Sequence, residues 1–165
     1  MKIGVISDTH DHIPNVIKAV EIFNSKELEL VIHAGDIISP FMAPKGFKDL
    51  KCPLKMVYGN NDGDWIFLRH KFKEIGAEIE REYLELELDG KKIIAFHTIH
   101  PSILDSMIAS QKFSVIIYGH THEKSIKKEG NTLVLNPGEC CGYLTDNPTI
   151  AIVDLDTLQA EFIEL

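Results

Sequence analysis

Lys2-Ile3-Gly4-Val5-Ile6-Ser7-Asp8-Thr9-His10-Asp11-His12 runs from a short apolar stretch into a polar loop, and Pro14 then opens a segment with Val16, Val20 and Phe23 on one face. An apolar run followed, across a polar loop, by a 3.6-residue period is a βα unit. The pattern recurs. Leu30-Val31-Ile32 runs into His33-Ala34-Gly35-Asp36, after which Ser39 as N-cap and Pro40 at the first helical position predict a second helix. Pro53 to Tyr58 reads as a third strand ending at Gly59-Asn60-Asn61-Asp62, and a helix is expected around Trp65 to Ile75 with Phe72 and Ile75 inward.

After Gly76 the texture changes. Tyr83 to Leu88 alternates strictly, Asp89-Gly90 is a hairpin signal, and Ile93 to Phe96 reads as the returning strand. A helix from Ser102 to Ser110 and a buried strand from Val115 to Tyr118 follow. Ser125 to Lys128 then pairs with Thr132 to Leu135 across Gly130-Asn131, and Ile150 to Leu155 with Ala160 to Leu165. These units predict an α/β fold of two mixed β-sheets packed as a sandwich and flanked by helices.

With 165 residues, one domain spanning 1–165 is expected. The 44% hydrophobic and 25% charged content is that of a globular protein and excludes disordered, collagen-like and disulfide-stapled classes. Seventeen Lys and Arg against 25 Asp and Glu give a net charge of -8, the wrong sign for gripping nucleic acid through its phosphates. No apolar run reaches the roughly 18 residues that span a bilayer, and the chain enters a strand without a signal-peptide pattern, so the expected compartment is the cytoplasm. Cys52, Cys140 and Cys141 show no paired spacing and read as free thiols.

Polar, metal-competent side chains gather just past the ends of the apolar strands, where open α/β sheets place their ligands. Asp8 and His10 follow the first strand, Asp36 the second and Asn60 the third, while His97 closes Ile93 to Phe96 and His120 and His122 follow Val115 to Tyr118. Residues two apart on an extended segment share a side, so Asp8 with His10, and His120 with His122, are each expected to present a chelating pair. Any one of these residues alone is read more simply as a cap, a turn-former or a satisfied polar group. Seven donors at five strand ends are different, because gathering so many burial-prone ionisable groups without a cation is unfavourable. Two carboxylates, one amide and four imidazoles suit Mn²⁺, Fe²⁺, Co²⁺, Ni²⁺ or Zn²⁺ better than a hard ion, and their number exceeds the needs of one ion. Two divalent metal ions sharing a carboxylate fit the count.

Asp8-Thr9-His10, Gly35-Asp36, Gly59-Asn60-Asn61-Asp62, His97 and Gly119-His120-Thr121-His122, in that order, resemble the five signature blocks of the calcineurin-like metallophosphoesterases. The short length and Asn136-Pro137-Gly138 resemble their small bacterial and archaeal phosphodiesterase branch. The resemblance implies that Asp8, His10 and His122 hold one metal, that Asn60, His97 and His120 hold the other, and that Asp36 bridges them. It implies a divalent-metal-dependent phosphodiesterase acting on small phosphodiesters through a metal-bridging hydroxide, with manganese the first expectation and Asp36, Asn60 and Asn61 at the reacting centre. Two cations so placed lower the pKa of a shared water and match charge in an in-line displacement.

The chain departs from the family pattern in three places. Many relatives carry His where Asn61 stands, and an amide cannot act as a general acid, which leaves solvent, metal-bound water, or a side chain such as His12 or Asp62 as the proton source. His97 is followed by Thr98 rather than Gly, with His100 three residues along, where a surface imidazole is the simpler reading. Glu139 stands where Ser is frequent. His33 is expected to be structural, Glu85 and Glu87 to face solvent, and Trp65, Phe67 and Leu68 to be core, with a pocket lining or a subunit contact as their alternatives and a homo-oligomer left open. Two other functions compete. A eukaryotic retromer subunit resembles this branch and works as a protein-interaction scaffold, but a scaffold is free to lose ligands and all seven are present. A nuclease is disfavoured by the charge.

Overall fold

The computed structural model describes residues 1–165. Strands β1 (Lys2–Ile6), β2 (Leu30–His33) and β3 (Leu54–Val57) run parallel, with α1 (Ile13–Asn24) crossing between the first two. After α2 (Trp65–Glu74), the three-residue β4 (Glu78–Glu80) adds parallel to β3. The hairpin β5 (Tyr83–Leu88) and β6 (Lys91–Phe96) opens a second sheet, turning at Asp89 and Gly90, both at positive φ as such a two-residue turn requires. Beyond α3 (Pro101–Ser110), β7 (Val115–Ile117) lies parallel between β6 and β9 (Thr132–Asn136), and β8 (Ser125–Glu129) pairs antiparallel with β9. The chain then returns to the first sheet, where β10 (Thr149–Asp154) pairs antiparallel with β1, and β11 (Gln159–Glu164) forms the edge. The six-stranded sheet has the order β11-β10-β1-β2-β3-β4 and the five-stranded sheet β5-β6-β7-β9-β8.

Strand alternation divides the apolar residues into layers. Ile3 and Val5 face the second sheet and pack with Ile32, Ile93, Val115, Ile117 and Leu135 in the sandwich interior. Ile6 and Val31 face the other way and pack under Val16, Val20 and Phe23 of α1 and Leu68 and Phe72 of α2. A smaller layer, Ile94, Ile116 and Val134 beneath Ile108 and Phe113, seats α3 on the second sheet. The expected mixed-sheet sandwich with flanking helices is the observed fold.

Local departures have local reasons. The helix expected after Ser39-Pro40 is a turn followed by a five-residue π-helical segment, Ala43–Phe47. Ser39 Oγ does accept a backbone N–H, from Phe41, but Pro44 inside the segment has no N–H to continue an α-helical ladder. β4 is too short to show a period, and pairing with β3 alone defines it. Trp65 and Phe67 are each 41% exposed rather than core. The indole N–H of Trp65 donates to the Asp62 carbonyl and the Arg81 guanidinium lies 4.5 Å from the ring, while Leu68 is fully buried as expected. Glu85 and Glu87 face solvent and the three cysteines are free. No helix is long and apolar enough to cross a membrane.

Candidate active site

Because β1, β2, β3, β6 and β7 are mutually parallel within their sheets, the loops that leave their C-terminal ends gather at one end of the sandwich. Backbone hydrogen bonds join these loops: Asp8 N–H to Gly35 O at 3.0 Å, His10 N–H to Asp36 O at 3.1 Å, and Gly119 N–H to His97 O at 3.1 Å. The two sheets meet where His120 N–H donates to Asp8 Oδ2 at 3.1 Å.

Of the two expected chelating pairs, Asp8 and His10 come together, though not by strand alternation, whereas His122 stacks on His10 and His120 turns instead to His97. β1 has ended at Ile6, and Asp8 and His10 sit at φ 51° and 38°; His120 and His122 sit at 69° and 63°, and Asp36 at 59°. Five of the seven expected donors therefore hold left-handed backbone, which costs a non-glycine residue on the order of 1 kcal/mol. Ile38, β-branched, is also there at 83°. Such strain persists where the surroundings over-determine the conformation, and it gathers at functional sites. The neighbouring glycines are steric necessities: a Cβ on Gly35 would enter the His97 ring, and one on Gly59 the Asp36 carboxylate.

All seven residues converge. His122 Nε2 lies 3.3 Å and His10 Nε2 3.8 Å from Asp8 Oδ1. Asp36 Oδ2 lies 3.4 Å from both His10 Nε2 and His97 Nε2 and so stands between the two groups of donors. His97 Nε2 is 3.0 Å from Asn60 Oδ1, and the His97 and His120 rings lie edge to face with centroids 5.2 Å apart. Asp8, His10, Asp36 and His122 each offer a ligand atom within 4.8 Å of the others. Asp8, Asp36 and His97 are buried, whereas Asn60 and His120 are exposed, so the cluster is closed on one side and open to solvent on the other.

The chemistry of the donor set tests whether cations belong there. Nδ1 of His97 meets the Ala34 carbonyl at 2.8 Å, an acceptor, so it carries the proton and Nε2 of the neutral ring is a lone pair. That lone pair faces a carboxylate and an amide oxygen. Asp8 Oδ1 and His10 Nε2 are both buried without a hydrogen-bond partner. Lone pairs that face one another with nothing to donate are unfavourable when buried, and divalent cations satisfy them. The protein alone compensates only partly. The Asp8 carboxylate, 3.8 Å away, raises the pKa of His10 against the effect of burial, and burial of His97 is outweighed by Asp36 so that its pKa also rises. Burial disfavours the Asp36 carboxylate, yet His97 and the N–H of Asn61 hold its pKa below the usual range.

A supporting ring surrounds the donors. The backbone N–H and side-chain Nδ2 of Asn61 donate to the two Asp36 oxygens at 2.9 and 2.8 Å, so this amide is engaged with the carboxylate it follows in space. Asp62 accepts the N–H groups of Ile37, Ile38 and Gly59 and joins the second and third loops. His33 is fully buried between Thr9 Oγ1 and Gly35 N–H, and burial pushes its pKa down to about 3, which fits its expected structural role. His12 and His100 cap α1 and α3 through Nδ1, and His100 is exposed as expected. Glu139 Oε2 receives His122 Nδ1 at 2.7 Å. That partnership spans 17 residues and no periodicity in the sequence signals it; the unusual Glu after Asn136-Pro137-Gly138 was the only local mark.

Residues 1–158 match the calcineurin-like phosphoesterase superfamily domain. The chain belongs to that superfamily: it is a phosphoester hydrolase of the metallophosphoesterase class, a class that works with divalent metal ions. It is 47% identical to a phosphodiesterase of Methanocaldococcus jannaschii over 166 residues, covering 100% of this chain and 98% of that protein. A solved archaeal phosphodiesterase superimposes with a TM-score of 0.93 at 44% identity, over 100% of both chains. Vps29 from Entamoeba histolytica, solved in complex with zinc, has a TM-score of 0.72 over 99% of both chains at 18% identity, a likeness of fold alone.

Proposed function

We propose that this protein is a divalent-metal-dependent phosphodiesterase that hydrolyses small phosphodiesters at a dinuclear centre, with residues 1–165 acting as one domain. The observation that carries the dinuclear reading is the position of Asp36 Oδ2, 3.4 Å from a histidine nitrogen of each donor group, beside buried oxygen and nitrogen lone pairs that no protein hydrogen satisfies. Asp8, His10 and His122 would hold one ion, Asn60, His97 and His120 the other, and Asp36 both. Bound divalent ions would supply Lewis acidity there, the means to make water nucleophilic at neutral pH and to match the charge of the phosphoryl oxygens.

The remaining chemistry belongs to the protein. Ala34 O fixes which nitrogen His97 turns inward, and Asn61 holds both oxygens of Asp36 in place. The open Asn60–His120 side admits the phosphoryl group. Asn61 has no titratable proton to give a departing alkoxide, and it puts no imidazolium beside the second negative charge of a monoester. Both features favour activated diesters over monoesters. The donor set, four imidazoles and no thiolate, favours Mn²⁺, Ni²⁺, Co²⁺, Fe²⁺ or Zn²⁺ over Mg²⁺, with Mn²⁺ the first choice.

Chelated protein, assayed on matched aryl diester and monoester substrates and then restored with each metal, tests the proposal. Activity should vanish on chelation, return with Mn²⁺, Ni²⁺ or Co²⁺ more fully than with Mg²⁺, and be higher on the diester. Full activity in protein shown to be metal-free would overturn it, and a preference for the monoester would overturn the substrate reading.

A further inference from the structure

Glu139 is fully buried, and donors occupy both of its oxygens. Oε1 accepts from Leu144 N–H at 2.9 Å, Thr145 N–H at 2.6 Å and Thr145 Oγ1 at 2.7 Å; Oε2 accepts from Cys141 Sγ at 3.2 Å and meets His122 Nδ1 at 2.7 Å. A carboxyl surrounded by this many donors is a carboxylate, an acceptor only, so the proton in the His122 contact sits on Nδ1. The opposite nitrogen, Nε2, is then a lone pair directed at Asp8 Oδ1, which has no hydrogen-bond partner.

We propose that Glu139 is a positioning residue that locks His122 into its Nδ1–H tautomer and thereby presents Nε2 as the metal-donating nitrogen beside Asp8. This rests on the dinuclear reading above and deepens it. The donors on the carboxylate come from residues 141 to 145, so the loop that follows β9 acts as the anchor for a ligand of the neighbouring loop. The alternative use of these side chains, a separate metal site of His122, Glu139 and Cys141, fails on chemistry. The Glu139 oxygens are already satisfied, and the Cys141 thiol is a donor to Oε2 rather than a thiolate. A hydrogen-bonded carboxylate behind a ligating imidazole fixes its orientation and raises its basicity, and its loss typically weakens metal binding by 10- to 100-fold.

The test pairs long-range ¹H–¹⁵N spectra of the metal-free protein, with His122 assigned from a His122→Asn variant, with calorimetric titration of Mn²⁺. At mildly alkaline pH the wild-type His122 ring should be protonated on Nδ1. In Glu139→Gln the ring should become a mixture of tautomers, and one of two Mn²⁺ ions should bind roughly 10- to 100-fold more weakly while the other changes by less than about 3-fold. An Nε2–H tautomer in the wild type, or a variant unchanged in both tautomer and affinity, would overturn the proposal. Wild-type protein that takes up no Mn²⁺ would refute the dinuclear reading, and the metal-free spectrum would still decide the role of Glu139. If Glu139→Gln does not fold, the wild-type tautomer decides alone.

Discussion

Asp62 joins the two loops that carry Asp36 and Asn60, and Asp62→Asn measures how much that junction is worth. The buried carboxylate takes Ile37 and Ile38 N–H on Oδ1 at 2.8 and 2.7 Å and Gly59 N–H on Oδ2 at 2.7 Å. Asparagine of the same shape keeps one acceptor. Its oxygen serves Ile37 and Ile38, and its NH₂ then opposes the Gly59 N–H, donor against donor. The loss is one hydrogen bond to a charged acceptor and one stranded N–H, about 3 to 5 kcal/mol together. Part is recovered, because burial already disfavours the Asp62 charge and holds its pKa above the ordinary carboxylate value. A net destabilisation of about 2 to 3 kcal/mol should lower Tm by about 4 to 12 °C in a domain of this size. Thermal unfolding followed by circular dichroism in chelator removes the contribution of bound metal. Gly59, which precedes Asn60, loses its anchor in the variant, so kcat at saturating metal should also fall, through displacement of Asn60 rather than loss of a ligand. A Tm within about a degree of the wild type would show that the loops hold their geometry without Asp62.

His33, with a pKa of about 3 when folded against 6.5 as a free side chain, stays neutral while the unfolded chain takes up a proton. Its stabilising contribution is therefore complete above pH 6.5 and is lost as pH falls from there toward 3, on the order of 5 kcal/mol in full. His33→Gln should flatten the acid limb of a stability-against-pH curve, and an unchanged slope would refute this. Gly59→Ala forces a methyl group against the Asp36 carboxylate and should reduce turnover by 100-fold or more, so near-normal kcat would show that the loop yields. Asn61→His should raise the monoester-to-diester ratio of kcat/KM at equal metal occupancy by supplying a proton donor. It also removes the Nδ2 donor to Asp36, so metal content must be measured alongside; an unchanged ratio would move the control of specificity away from position 61.

Periodicity carried most of the architecture. Ile3 and Val5 against Ile6, and Val16, Val20 and Phe23 on one helical face, follow from burial of alternate or helically spaced apolar groups, which is a property of neighbours in the chain. The donors were equally legible as residue types following apolar strands. Parallel pairing alone, however, decided that five strand ends meet at one place, and it did so through bonds such as Asp8 N–H to Gly35 O that join residues far apart in sequence. The same bonds hold Asp8, His10, Asp36, His120 and His122 in left-handed backbone. Local propensity opposes that conformation, so no window of sequence could have signalled it. Glu139 with His122, and Asp62 with Ile37 and Ile38, belong to the same class of fact. Each partner is chosen by which side chains the packed sheets leave within hydrogen-bonding reach once water has been excluded, and that is settled in three dimensions.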